Sequence, residues 1–310
     1  MDLRFRPPLQ PHALLEWLAA RAVPGAEEVD GGAYRRSLRL PGGAGVVEIE
    51  LGGDAERRDA ARSRRASGAA RVALRGELWL DDPRDAAAAT ARIRRLLDLD
   101  ADPEAAVAVL GAAPLLGALV AAAPGLRVPG AVDGAELAVR AVLGQQVSVA
   151  AARTAAGRLV AAYGERLERP RGGVVALFPS AATLGALDPA SLPMPRARAA
   201  ALIGLCRALA AGELQLDPKA DREAARRALL ALPGIGPWTA GYVAMRALGD
   251  PDVFLVEDLG VRHGLARLGG PSDVREARAL ATTWAPWRSY ASQYIWQAPQ
   301  LASRKANSST

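Results

Sequence analysis

Residues 221–258 read DREAARRALLALPGIGPWTAGYVAMRALGDPDVFLVED, and the rest of the chain is organised around them. Ala224, Ala228, Leu229 and Leu232 recur at helical spacing, which predicts a helix over 221–231. Leu232-Pro233-Gly234-Ile235-Gly236 then breaks the period, and Pro237, pre-set for helix entry, opens a second helix to about Leu248. The two glycines leave a hairpin with no side chains over it, so its N–H groups can approach an anion such as a DNA phosphate. A tight helical corner without a ligand has the same letters. An apolar run from Val253 to Val256 then delivers Glu257 and Asp258 to the start of another helix. Asp258 reads there either as an N-cap or as a carboxylate with chemistry to perform.

Working outward, residues 1–100 have a different texture. Leu3-Arg4-Phe5-Arg6, AYRRSLRL at 33–40, GVVEIEL at 45–51 and ARVALRG at 70–76 alternate as half-buried strands. Helices are predicted over Ala13–Ala22 and from Asp81-Asp82-Pro83 to about Leu97. This composes a small α+β domain with an antiparallel sheet and flanking helices. From 101 to 298 only helices are predicted, with the hairpin at 221–248. Arg169-Pro170-Arg171-Gly172-Gly173 reads as an exposed loop, and 299–310 as a frayed tail. Arg57, Arg58, Arg62, Arg64 and Arg65 read as a solvated surface segment.

At 310 residues the chain can form two or three domains with a core that needs no staples. Cys206 is the only cysteine, which excludes a disulfide framework and a cysteine-held metal or iron–sulfur site. Set in ALIGLCRAL, it reads as a small core residue. No uncharged apolar run approaches a bilayer span and the N-terminus lacks a signal pattern, so cytoplasmic residence is expected. The formal charge of +6 permits a polyanionic partner without requiring one.

Four stretches in order carry a resemblance. They are Leu126-Arg127-Val128-Pro129-Gly130 leading into AVRAVLGQQVS (138–148), Met194-Pro195-Arg196-Ala197-Arg198-Ala199, the hairpin with Asp258, and Trp284-Ala285-Pro286-Trp287-Arg288-Ser289-Tyr290-Ala291 leading to Ile295-Trp296. Together they resemble the helix-hairpin-helix DNA glycosylase superfamily, in its AlkA-type branch, the 3-methyladenine DNA glycosylase II enzymes. Pro7-Pro8 and Leu18–Val23 are similar to the extra α+β domain of that branch. The resemblance implies an α+β domain followed by an all-α helix-hairpin-helix core. It also implies base excision: a damaged nucleotide is flipped out of the duplex, at about a few kcal/mol, and its N-glycosidic bond is hydrolysed.

What the resemblance implies can be given residue by residue. Asp258 is the catalytic carboxylate. Trp238, Tyr242 and Trp296 line the base pocket, with Trp17 near it; plain core packing is the alternative for each. The N–H groups of Gly234, Gly236 and Thr239 meet a phosphate. Gln145 and Gln146 bind DNA, with Gln146 where the family has an apolar wedge, or else form a helix-buried amide pair. Arg140 and the hairpin are expected to share a concave basic face. The carbonyls of Leu230, Leu232 and Ile235 hold a sodium or potassium ion; no cofactor for catalysis and no iron–sulfur cluster is expected. The hairpin lysine of strand-cutting relatives is replaced by Trp238, and Lys219 and Lys305 are the only lysines, so a monofunctional hydrolase is expected. Gln297 replaces an aromatic beside Trp296, which makes that side of the pocket more polar. The expected partner is double-stranded DNA with alkylated bases, bound by a monomer with no membrane attachment. The readings set against this are a non-catalytic sensor of distorted DNA and excision of deaminated or oxidised bases.

Overall fold

The computed structural model describes residues 1–52 and 72–307. The arginine cluster at 57–65 lies outside them. Strands β1 (Asp2–Phe5), β2 (Glu27–Asp30), β3 (Ala33–Leu40), β4 (Gly43–Glu50) and β5 (Val72–Leu80) form an antiparallel sheet in the order β1-β5-β4-β3-β2. Alternation sets the register: Tyr34 opposes Ile49 and Arg36 opposes Val47. Helices α1 (Pro11–Arg21) and α2 (Ala86–Leu96) cover the sheet. Leu14, Leu18, Ala89 and Ile93 join Leu3, Leu38, Val47 and Ile49 in one core.

The rest is built mainly of helices: α3 (Pro103–Leu110), α4 (Gly117–Ala122), α5 (Gly134–Leu143), α6 (Val149–Tyr163), α7 (Ala181–Gly185), α8 (Arg196–Ala210), α9 (Arg222–Ala231), α10 (Pro237–Arg246), α11 (Leu259–Arg267), α12 (Val274–Ala281) and α13 (Arg288–Asn307). They enclose two cores. One packs α5, α6, α8 and α9 against Ala240, Val243 and Ala244 of α10. The other packs α4, α11, α12 and α13 against Met245 of the same helix. The second hairpin helix is therefore a wall common to both, which fixes its orientation from two sides. Cys206 lies fully buried in the first core, where burial pushes its thiol up to about 12. No helix among the described residues is long and apolar enough to cross a membrane.

Three local expectations are corrected. The exposed loop at 169–173 is instead the turn region of a ribbon, β6 (Arg166–Arg171) with β7 (Val174–Ala176). Its first strand is almost wholly exposed and polar, so it shows no alternation, and Pro170 is tolerated there because the strand lies at an edge. Residues 299–307, set aside as tail, continue α13. Strand β2 was missed because EEVD carries no apolar alternation; it adds to β3 at the sheet edge.

Side chains tie the sheet to the helices. The Ser37 hydroxyl donates to the Ala176 carbonyl at 2.8 Å, and Arg127 Nη2 donates to the carbonyls of Arg6 and Pro8 at 2.6 and 3.1 Å. Asp98 receives the Tyr290 hydroxyl at 2.6 Å and the Val128 N–H at 3.1 Å. Burial raises its carboxyl to about 6, against the pull of these bonds and of Arg127. A raised folded value means the contribution is complete at low pH and is lost as pH rises through about 6. Relative to Asp98→Asn, the wild type is therefore expected to lose roughly 2 kcal/mol of stability between pH 4 and 7. Urea unfolding of both proteins across that range checks it; a difference that stays constant with pH would contradict it.

Candidate active site

The site is assembled where α10, α11 and α13 converge. Asp258 is the N-cap of α11, and its Oδ1 accepts the Val261 N–H at 2.9 Å. The same oxygen accepts Trp296 Nε1–H at 2.8 Å, and Oδ2 accepts Trp238 Nε1–H at 2.9 Å. The N-cap role expected as one of its two readings is present, and the same carboxylate is bound by two aromatic N–H groups. The helix start sets the position of the carboxylate, and two indoles fix its rotation. Glycines on α11 permit the approach of α13: a Cβ on Gly264 would stand 2.5 Å from Ile295 Cγ2, and one on Gly260 3.1 Å from the Trp296 ring. Neighbouring Glu257 is exposed and paired with Arg278 instead.

Around Asp258 the aromatic residues form walls. Trp238 and Tyr242, one turn apart on α10, stack with ring centres 5.4 Å apart and planes 15° apart. Trp296 meets Tyr242 edge-on at 6.4 Å and Trp17 of α1 at 5.6 Å. These residues border a cavity of about 1060 Å³ that also reaches the hairpin glycines. Trp17 is engaged by a protein cation: the Arg21 guanidinium lies 3.3 Å from its ring centre. Trp284 and its edge-on neighbour Phe254 belong to the second helical core. Gln297 is half-buried and does not border the cavity, so the polar side expected of it is absent from the lining.

The hairpin glycines have different local reasons. Gly234 adopts φ +80°, and a Cβ there would stand 2.6 Å from Ala201 Cβ. Gly236 has φ −94° and open space around an added Cβ, so nothing in the fold demands glycine. Gly234→Ala is expected to destabilise the protein by about 1–3 kcal/mol, and Gly236→Ala by less than about 1 kcal/mol. Thermal unfolding of the pair checks this, and equal losses would contradict it.

Gln145 and Gln146 separate. The Gln145 amide donates to the Gly234 carbonyl and to Thr239 Oγ1, each at 3.0 Å, so it braces the hairpin from the end of α5. Gln146 is exposed at φ +56°, a backbone state that costs a non-glycine residue about 1–2 kcal/mol, and it stands at the cavity rim beside Val147, 39% exposed. Arg140 is corrected. It borders the same cavity, but its guanidinium is committed to Glu27 at 3.1 Å, Glu136 at 2.9 Å and the Arg21 carbonyl at 2.7 Å, so its charge is matched within the protein. Two cavity arginines, Arg21 and Arg246, were not singled out from sequence. The available signal was spacing by four, Trp17 to Arg21 and Trp238 to Tyr242 to Arg246, which puts each guanidinium on an aromatic face.

Comparisons with known proteins agree with this architecture. Residues 1–133 match the AlkA N-terminal domain, and residues 139–289 match the HhH-GPD superfamily base excision DNA repair protein. A probable bifunctional transcriptional activator/DNA repair enzyme AlkA of Mycobacterium tuberculosis is 49% identical over 296 residues, covering 96% of this chain and 56% of that protein. The chain thus spans about half the length of the first curated relatives it matches. DNA-3-methyladenine glycosylase 2 of Escherichia coli is 39% identical over 297 residues, 95% of each chain. Among solved structures, a 3-methyladenine DNA-glycosylase from Archaeoglobus fulgidus superposes with a TM-score of 0.79 at 20% identity, over 97% of this chain and 98% of that one, a likeness of fold.

Proposed function

For a chain that belongs to the HhH-GPD superfamily of base excision DNA repair proteins, in its AlkA-type branch, we propose a monofunctional DNA glycosylase that flips alkylated purines out of duplex DNA and hydrolyses their N-glycosidic bonds. The observation that carries the reading is the Asp258 carboxylate, held by two indole N–H donors and a helix N-terminus at the edge of an aromatic cavity.

A purine alkylated on a ring nitrogen is cationic and leaves as a neutral base. As the bond breaks, positive charge develops on the sugar, and a fixed carboxylate in a water-poor cavity stabilises it without reorganising. Asp258 has both oxygens oriented by donors, so it meets that charge already aligned and can take a proton from the attacking water. Stacked Trp238 and Tyr242, with Trp296, provide ring faces that attract an electron-poor base by about 0.5–2 kcal/mol. The open Gly236 and the first turn of α10 present N–H groups to a phosphate, with Thr239 seated by Gln145. Gln146 at its exposed turn fills the gap left by the flipped base. A monovalent cation at the hairpin would be held by the carbonyls of Leu230, Leu232 and Ile235, a neutral oxygen donor set; that of Leu232 accepts the Ile235 N–H at 3.1 Å. The protein acts as a monomer on cytoplasmic double-stranded DNA.

A lyase step requires an amine at the sugar. Trp238 stands at the position that the lysine takes in strand-cutting relatives, and its N–H is spent on Asp258. Borohydride trapping on alkylated duplex tests this. No covalent protein–DNA adduct is expected, and strands should break only after alkali; a trapped adduct would overturn the monofunctional reading.

A further inference from the structure

Trp238, Tyr242 and Arg246 stand four residues apart on one face of α10, so the aromatic wall ends in a guanidinium. Arg246 is 4% exposed and borders the cavity. Its Nε and Nη1 meet no acceptor among the described residues. The guanidinium carbon lies 4.6 Å from the Trp17 ring centre and 5.6 Å from that of Tyr242. Ring faces compensate part of its charge, but they leave the in-plane N–H donors unmatched. A buried cation without acceptors costs several kcal/mol, and a leucine or methionine at this position would carry no such cost. Burial, and after it the nearby cations Arg21 and Arg140, lowers its proton affinity to about 10, so it still carries its charge at neutral pH. What is missing is an acceptor; Arg246 borders the base cavity and also a second pocket lined by Asp98, Asp250 and Tyr290, whose carboxylates make no hydrogen bond to it.

We propose that Arg246 is a specificity-determining residue: it donates to a carbonyl oxygen on the flipped base and stabilises the negative charge that a neutral base acquires as it leaves. The inference rests on the glycosylase reading above. In hydrolysis the C1′–N bond breaks, its electron pair stays on the base, water supplies hydroxyl to C1′, and one proton is released. A cationic alkylated base departs neutral and that proton goes to solvent. An uncharged purine departs as an anion, delocalised onto any carbonyl, until it takes up a proton equivalent to the one released. Only the second case needs a cation at the base. The same cation opposes entry of a positively charged base, so the guanidinium shifts preference toward carbonyl-bearing, uncharged purines of the deaminated type.

The test measures single-turnover release of hypoxanthine from a duplex containing it, and of 3-methyladenine from methylated duplex, by the full chain, Arg246→Met and Arg246→Lys. The ratio of hypoxanthine to 3-methyladenine release is expected to fall about tenfold or more in Arg246→Met, the size of a lost charged hydrogen bond, and to recover in part in Arg246→Lys. Loss of general packing would lower both releases together and leave the ratio unmoved. An unmoved ratio in both variants overturns the proposal. So does a wild type that releases 3-methyladenine but no hypoxanthine. A wild type that releases neither overturns the glycosylase reading itself.

Discussion

Asp258→Asn is expected to lower base release from alkylated duplex on the order of a thousandfold while leaving the fold intact. Asparagine is as good an N-cap as aspartate, so the bond to the Val261 N–H survives and the stability change stays below about 1 kcal/mol. The carboxamide presents one acceptor oxygen where the carboxylate presents two, so one of the two indole donors loses its partner. The large term is the charge that the substitution removes from the place where positive charge develops on the sugar. Single-turnover release by both proteins, with melting curves alongside, separates the two effects. Near-equal release would move the chemistry to another residue, and a collapse of the melting temperature would show that the carboxylate serves the fold first. Asp258→Ala, which also loses the cap, should add a stability loss of about 1 kcal/mol.

The second large effect is expected far from the chemistry. Glu27, on the sheet edge, accepts the Val23 N–H at 2.7 Å, the Tyr34 hydroxyl at 2.8 Å, Arg36 Nη1 at 2.9 Å and Arg140 Nη1 at 3.1 Å. Arg36 reaches on to Glu136 at 2.7 Å. This buried cluster joins β2 and β3 to α5, and through the Arg140 bond to the Arg21 carbonyl it holds the end of the helix that carries Trp17. Removing one member leaves uncompensated buried charge, so Glu27→Ala is expected to destabilise the protein by about 3–5 kcal/mol. Burial pushes the Glu27 carboxyl up, but Arg140, Arg36 and the two short bonds outweigh it and hold it below the ordinary glutamate value of 4.5. A depressed folded value gives a contribution that is present at neutral pH and lost as pH falls through it. Below about pH 4.5 the wild type should approach the variant, the reverse of the trend set by Asp98. Denaturant unfolding at pH 7 and at pH 4 reads both the size and the sign. A loss under 1 kcal/mol at pH 7 would show that the cluster contributes little.

The hairpin and the residues that follow it were legible in sequence because their signals are local. Proline and glycine punctuate two helical periods, whereas Trp238 and Tyr242 were assigned to the pocket by the family resemblance. The central strands were legible because they alternate. Edge elements were not: EEVD and RLERPR lie at borders where few side chains need burial, so their pattern carries no period. Arg140 was misplaced because its partner Glu27 lies 113 residues away, and its nearby partner Glu136, one turn earlier, fits an exposed helix-surface pair equally well. Arg246 was passed over for a related reason. Its surroundings are ring faces contributed in part by Trp17, on a helix at the other end of the sequence. Asp258 is the instructive case. The two readings of it are compatible, because the oxygen that the cap does not use is the one that accepts the Trp238 N–H at the cavity wall.

The most direct test of the whole account is chromatographic identification of what the protein releases from methylated duplex DNA. Free methylated purine, with abasic strands that remain whole until alkali is added, is the predicted result. Tight binding to the damaged duplex with no base released would contradict it, and would make the cavity a recognition site without chemistry.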